Sequence, residues 1–258
     1  MQQIEKIMMQ RTGKDLTGFK KPFLGRRISS RMRAVGVKDG SEYAKLLESD
    51  TEEPTRLFKS FSINVTEFYR DPFVWDYISS LLPRILEKNR TIRAWSAGSA
   101  SGEEPYSIAI MLSEAIGAKN NRFQILATDI NLEALERAKK GRYSSANLKN
   151  LQPQTVSKYF TQVEADTFEI SDNIKQHIKF EHGDIASFAT DQMHLVFCRN
   201  VLIYYEKTAQ EIIFKRFNKT LTDDGYLVIG QDESMMGIQA SKIFSCIRPK
   251  ERIYEKTQ

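Results

Sequence analysis

Up to about residue 88 the apolar residues recur at helical spacing and no alternating run appears, so this part of the chain reads as all helical. In "PFLGRRISSRMRAVG" the residues Leu24, Ile28, Met32 and Val35 share one face. Arg26 and Arg33 then point away from that face and Arg27 and Arg31 flank it, so one amphipathic helix presents an arginine ridge to solvent. Near residue 91 the pattern changes to short apolar runs separated by longer helical segments. "TIRAWSA", "FQILATDI", "HLVFC" and "YLVIG" read as strands, the last preceded by a turn at "TDDG", and "RIYEK" is a final extended run. "PYSIAIMLSEAIG", "NLEALERAKKG" and "EKTAQEIIFKRFNKTL" read as the helices between them, the first two closing on Gly117 and Gly141.

Strands and helices in that alternation predict βαβ units, right-handed crossovers and a mainly parallel, Rossmann-like doubly wound α/β sheet. The alternation is interrupted at about 143–179, where an inserted helix precedes a small hairpin, because "YFTQV" and "TFEI" alternate across the polar link "EAD". The expected organisation is a helical N-terminal domain over 1–75 and an α/β domain over 76–258.

At 258 residues, 41% hydrophobic and 28% charged, the chain is long enough for one large domain and one small one. No stretch approaches the ~20 apolar residues that span a bilayer, and "MQQIEKIMMQ" lacks the layout of a signal peptide, so a cytoplasmic protein without membrane insertion is expected. Cys198 and Cys246 are far apart and have no histidine cluster beside them, which argues against a disulfide framework or a zinc site and for two buried free thiols. The net charge of +5 is uneven. Residues 11–38 hold nine Lys or Arg against one acid, Asp15, so the basicity belongs to this segment and the remainder is net acidic. A solvated helix face and an acidic partner surface both account for it.

Ligands of a doubly wound sheet bind beyond the carboxyl ends of its strands, where the strand order reverses. The loop Gly98 to Glu104, Asp129, and "CRN" after the strand ending at Cys198 all fall there. Asp129 suits two roles, accepting hydrogen bonds from ribose hydroxyls or capping the helix that follows. The first loop discriminates between cofactors. A pyrophosphate loop has the spacing G-x-G-x-x-G and offers backbone N–H groups with no carboxylate in the way. Here "GSASGEE" has the spacing G-x-x-x-G followed by Glu103 and Glu104, which would repel a pyrophosphate and suit a phosphate-free, cationic nucleoside such as S-adenosylmethionine. First-turn glutamates favoured by the helix dipole are the plainer account of the pair.

Four stretches in order, "SINVTEFYRD" at 62–71, "WSAGSASGEEPYSIA" at 95–109, "ILATDIN" at 125–131 and "FCRNVLIYYEKTAQE" at 197–211, resemble the CheR-type chemotaxis receptor methyltransferases, and the likeness covers nearly the whole chain. The resemblance implies an S-adenosylmethionine-dependent protein-glutamate O-methyltransferase that esterifies receptor glutamates, releases S-adenosylhomocysteine, uses no metal and acts as a monomer on chemoreceptor cytoplasmic domains. Carried over, it implies that Asn64, Thr66 and Arg70, in the segment joining the domains, reach the cofactor. Glu103 or Glu104, together with Asp129, would hold its amino-acid or ribose parts. Asp184 and Ile185 match positions beside the adenine, and Asn200 and Val201 follow the fourth strand. Arg70 and Tyr204 match positions bordering the active site, where they would hold the acceptor carboxylate. Arg26, Arg27, Arg31 and Arg33 would face glutamate-rich receptor helices. The family often shows a Gly-His-Ser-Glu run after the fifth strand, where this chain reads "GQDESM" at 230–235.

A nucleic-acid methyltransferase is the main competing class, given the pI of about 9.0. It calls for aromatics interleaved with the basic residues, and only Phe19 and Phe23 fall within 11–38. A non-catalytic S-adenosylmethionine-binding signalling domain is the other.

Overall fold

The computed structural model describes residues 1–62, 66–117, 122–190 and 192–257. By its contacts the chain forms two units, Met1–Ile63 with Ile203–Gln210, and Asn64–Leu202 with Glu211–Gln258.

The first unit is built from α1 (Gln2–Thr12), α2 (Lys21–Val35), α3 (Gly40–Ser49) and α4 (Glu53–Lys59). Gly13 and Gly36 end the first two helices in the left-handed conformation that glycine adopts without penalty. Asp39 caps α3 by accepting the Ser41 and Glu42 amides. Apolar stripes converge on a core of Ile4, Ile7, Met8, Leu24, Ile28, Tyr43, Leu47 and Leu57. One polar cluster lies within it. Glu53 is 1% exposed and accepts the Arg31 Nε–H at 3.0 Å, a second guanidinium N–H, and the Tyr43 hydroxyl at 2.7 Å. The ridge expected on α2 is therefore corrected at one position: Arg31 turns inward because a buried carboxylate requires a counter-charge. Arg26 and Arg33 are exposed, and Arg27 lies over the Phe23 ring at 5.5 Å.

The later segment of this unit is held by backbone and rings. The Lys20 amide donates to the Tyr204 carbonyl at 2.9 Å and the Glu206 amide to the Gly18 carbonyl at 2.8 Å. Tyr205 stacks on Phe19, and Tyr204 lies 4.7 Å from Phe23, centroid to centroid.

The second unit is a seven-stranded sheet flanked by helices. In chain order it runs α5 (Pro72–Lys88), β1 (Ile92–Ala97), α6 (Glu103–Ile116), β2 (Phe123–Asp129), α7 (Leu132–Lys140), β3 (Arg142–Tyr143), α8 (Pro153–Tyr159), β4 (Phe160–Glu164), β5 (Thr167–Ile170), α9 (Asp172–Lys175), β6 (Ile178–His182), β7 (Met193–Cys198), α10 (Lys207–Thr220), β8 (Leu221–Ile229), β9 (Phe244–Arg248) and β10 (Ile253–Lys256). The strand order is β6-β2-β1-β7-β8-β10-β9, with β10 antiparallel to both its neighbours. The order reverses between β1 and β7, which pair in parallel from Ala94/Leu195 to Ser96/Phe197. Their side chains are buried almost throughout, as a parallel sheet covered on both faces requires. The inserted segment forms a separate three-stranded sheet, β3-β5-β4, with the expected hairpin at its edge.

Two local readings change. "TDDG" is not a turn before the strand but an irregularity within β8, where pairing with β7 jumps from Met193/Leu221 to Leu195/Tyr226. Cys246 is exposed on β9, while Cys198 is buried as expected.

Candidate active site

The site grows from the loop that leaves β1. Gly98 and Ser99 both donate their amides to the Thr128 carbonyl, at 2.8 and 2.9 Å, which folds the loop across the end of β2. Gly98 has φ +92° and a side chain there would meet the Val201 Cγ2 at 2.5 Å, so only glycine lets the loops after β1 and β7 touch. Ala100, at φ +47°, and Asn200, at φ +61°, hold the left-handed conformation without being glycine. Tyr69 and Asp71 do so beside Arg70, at φ +48° and +56°. Such conformations persist where surrounding structure holds them.

The two adjacent glutamates diverge. Glu104 turns toward the sheet, where its Oε1 accepts the Ser96 hydroxyl at 2.7 Å and its Oε2 lies 3.9 Å from Arg199 Nη1. Burial pushes its carboxyl above the ordinary range, opposed by Arg199, the Ser96 hydroxyl and Arg70. Glu103 turns away, accepts the Ser101 hydroxyl at 2.7 Å, and lines a cleft of about 320 Å³ with Arg137, Lys140, Arg142 and Tyr143. Burial raises it too, with Ser101 and Arg137 acting against the shift.

Asp129 ends β2 and uses one oxygen for each flanking loop: Oδ2 accepts the Ala100 amide at 2.9 Å and Oδ1 the Asn131 amide at 2.8 Å. The cap on α7 is Asn131, which accepts the Glu133 and Ala134 amides, so capping does not account for Asp129. The Gly183 amide donates to the Asp129 carbonyl at 3.0 Å, bringing the turn after β6 to the same edge. There Asp184 accepts the Ala186 amide and Ile185 is buried, 3% exposed.

The structure thus brings together Glu104, Asp129, Asp184, Ile185, Asn200 and Val201 at the switch point, and sets Arg70 within electrostatic reach of Glu104. Glu103 is in the same loop but aimed elsewhere. Thr66 is half-buried in the segment before α5. Asn64 lies outside the described residues. Tyr204, in a short 3₁₀ turn over Leu202–Tyr204, belongs to the helical unit by its contacts.

Three residues that sequence reasoning did not single out complete the site. Arg199 is buried, donating from Nη2 to Asp71 Oδ2 at 2.6 Å and lying over the Trp75 ring. Glu233, 3% exposed, accepts the Leu202 amide at 2.6 Å and the Gly230 amide, and the Asn200 and Val201 amides also bond to it. Burial raises its carboxyl despite those four donors. Ser96 completes the Glu104 pair. The signal for Glu233 was present in "GQDES", which keeps the last residue of the family's Gly-His-Ser-Glu run; what it holds was not readable.

A cationic nucleoside fits this crevice on three observations. Two carboxylates flank a loop with no room for a side chain at Gly98. Ser99 Oγ and Asn200 Oδ1 are buried with no hydrogen-bond partner among the described residues, leaving one hydroxyl and one carbonyl oxygen for a polar ligand. Glu104 Oε2 is approached by Arg199 only at 3.9 Å, so its lone pairs remain open to a second cation. Among the described residues no group of three or more metal-ligating side chains occurs.

A mainly parallel sheet with a glycine loop after its first strand, an acid at the end of the second and buried polar groups at the switch point defines a Rossmann-like, nucleoside-binding protein. Residues 64–252 match the CheR methyltransferase SAM-binding domain and residues 1–62 the CheR methyltransferase all-alpha domain. The chain belongs to the CheR methyltransferase family. It is similar to the chemotaxis protein methyltransferase of Borreliella burgdorferi, 34% identical over 245 residues, covering 90% of this chain and 87% of that one. It also resembles those of Salmonella typhimurium, 31% identical over 90% of this chain and 82% of the relative, and Escherichia coli, 31% over 92% and 84%. No helix among the described residues is long and apolar enough to cross a membrane.

Proposed function

We propose that this chain methylates glutamate side chains of chemoreceptor cytoplasmic helices, with S-adenosylmethionine as methyl donor. The observation that carries the reading is that the glycine loop after β1 has two buried carboxylates at it, Glu104 following it and Asp129 accepting its Ala100 amide, where a dinucleotide would bring phosphate.

When bound, the cofactor supplies a sulfonium methyl with a good leaving group. On this reading Glu104 receives its ammonium, Asp129 accepts hydrogen bonds from the ribose hydroxyls, Asp184 and Ile185 border the adenine, and Asn64, Thr66, Arg70, Asn200 and Val201 are the further cofactor residues that the resemblance implies.

A solvated glutamate carboxyl titrates at ~4.3, so the acceptor is ionised at neutral pH and no strong general base is needed. The histidines are otherwise engaged. His194 accepts the Arg93 amide on Nδ1 and donates from Nε2 to Asn89, His182 donates to the Ile130 carbonyl, and His177 stacks on Phe123. What the chain contributes is alignment and removal of water from the carboxylate, and orientation of this kind is worth roughly 7–11 kcal/mol in favourable cases. Arg70 is the clamp, holding the acceptor through paired N–H groups, and for Tyr204 the resemblance implies a hydroxyl donor to the acceptor. Arg26, Arg27 and Arg33 speed encounter with an acidic helix and fix its register. Arg31, neutralised by Glu53, drops out of that set.

The test is incubation with methyl-labelled S-adenosylmethionine and a chemoreceptor cytoplasmic fragment. Base-labile label on the receptor supports the glutamyl ester; label on RNA alone, or on nothing, rejects the reading.

A further inference from the structure

We infer that Arg199 is a positioning residue: its guanidinium is the fixed counter-charge that keeps Glu104 ionised and aimed at the cofactor, through the same group that anchors the turn carrying Arg70. The inference rests on the reading of Glu104 as the ammonium acceptor.

Arg199 follows β7 directly and its side chain is 2% exposed, so its charge must be answered from within the protein. Two carboxylates answer it at unequal distances. Asp71 is in contact, 2.6 Å from Nη2, whereas Glu104 Oε2 is 3.9 Å from Nη1. The inequality is the informative part. A closed Arg199–Glu104 pair would consume the carboxylate; at 3.9 Å the guanidinium stabilises the charge by Coulomb attraction and leaves the oxygen free to accept from a ligand. Ser96 holds the other oxygen, so the carboxylate cannot rotate away.

The guanidinium is itself held. It lies over the Trp75 ring, 5.9 Å from its centroid, and that ring stacks on Phe197 at 5.5 Å, two residues before Arg199. The Trp75 indole N–H donates to the Arg70 carbonyl at 2.9 Å, so the bracket that seats Arg199 also holds the backbone of the clamp residue. Asp71 precedes α5 at φ +56° without capping it through its side chain, a strained turn that the Arg199 contact ties down. A lysine would present a point charge without the planar fork that reaches both carboxylates.

The charged and titratable groups facing Glu104 are Arg199 after β7, Arg70 before α5 and the Cys198 thiol on β7; Asp71 shares Arg199, and Glu233 lies beyond Cys198. Loss of Arg199 leaves one cation at Glu104, and the carboxyl then ionises only at higher pH.

The experiment is calorimetric titration of the full chain with S-adenosylhomocysteine from pH 5.5 to 8.5, with urea unfolding of each variant. For the wild type, affinity rises with pH to a plateau. Arg199→Met is expected to move the midpoint of that rise upward by at least one pH unit, binding tenfold or more weakly at pH 6 and approaching the wild type at pH 8.5. Arg199→Lys restores the midpoint while binding below the wild-type level. Arg199→Met with Glu104→Gln matches Glu104→Gln alone and has no pH step. Should Arg199→Met fail to fold, Arg199→Gln, which keeps a donor for Asp71 without the charge, carries the same comparison. A folded variant whose affinity drops equally at every pH, or whose loss adds fully to that of Glu104→Gln, overturns the inference but leaves the proposed function standing. Wild-type affinity in the Glu104→Gln variant would instead reject the reading of Glu104 on which the inference rests.

Discussion

The Glu233 carboxylate accepts the Leu202 backbone amide at 2.6 Å, 31 residues away in sequence, and through it the loop after β7 is fixed to the loop after β8. Replacing Glu233 by Ala strands buried N–H groups of Asn200, Val201, Leu202 and Gly230. An unsatisfied buried donor costs about 1–3 kcal/mol, and relaxation toward water offsets part of the sum, so the expected loss is about 3 kcal/mol in urea unfolding. S-adenosylhomocysteine affinity should fall with it, because Asn200 and Val201 lose their anchor. Unchanged stability and affinity would show that the carboxylate holds nothing.

Gly98→Ala tests the contact between the two strand-end loops. An alanine there meets Val201 at 2.5 Å and must adopt φ +92°, at a backbone penalty of about 1–2 kcal/mol. The variant is expected to fold and to bind S-adenosylhomocysteine at least tenfold more weakly. Adding Val201→Ala should recover part of the loss by relieving the clash but not the backbone strain; full recovery would mean that the conformation of residue 98 is immaterial.

The divergence of the two glutamates predicts unequal effects on binding. Glu104→Gln should lower S-adenosylhomocysteine affinity at least tenfold and Glu103→Gln less than threefold, by calorimetry at pH 7.5. The same substitution has a signed effect on stability. Burial raises the folded-state carboxyl of Glu104 above its unfolded value of ~4.3, so the native state holds that proton more tightly. Its contribution is complete below the unfolded value and lost as pH rises through the folded one. The melting temperature of Glu104→Gln should therefore gain on the wild type between pH 5 and pH 8. A difference that is constant over that range would mean that Glu104 does not titrate there.

Charge reversal on α2 separates docking from folding. Arg26→Glu with Arg33→Glu is expected to lower kcat/KM for receptor methylation five- to fiftyfold at low salt, less at high salt, with S-adenosylhomocysteine affinity unchanged. Arg31→Glu instead places a second carboxylate against buried Glu53, and should destabilise the protein by about 3–5 kcal/mol, the range for breaking a buried pair. If the exposed pair has no effect on receptor kinetics at any ionic strength, the ridge is a solvated face.

Three of the strands that place the site were legible because each is a short, mostly apolar run: "AWSA", "ILATD" and "LVFC" could be read without their partners, whereas β6, which carries the turn of Asp184 and Ile185, was not read as a strand. The inserted hairpin was legible from its alternation. β9 was not, because its two apolar anchors, buried Phe244 and half-buried Ile247, stand three residues apart and so lack the alternation that marks a strand. In the site, Gly98, Asp129 and the two glutamates announce themselves by residue type and position. Arg199 and Glu233 do not, since their meaning lies in Asp71, 128 residues distant, and in backbone amides that carry no sequence signature at all. Arg31 was misjudged for the same reason: helical periodicity puts it at the margin of the apolar face, and only Glu53, 22 residues on, draws it in.

The inclusion of Ile203–Gln210 in the helical unit has a consequence for dissection of the protein. A fragment ending at residue 62 corresponds to a recognisable sequence family, yet it lacks Tyr204 and Tyr205, whose rings cover Phe23 and Phe19, and the two backbone bonds at Lys20 and Gly18. Such a fragment would expose an aromatic face to water and leave main-chain groups open to self-association. Along the sequence the helical region matches as one run of residues; as a folding body it is discontinuous, closed by a strap that the polymer delivers some 140 residues later.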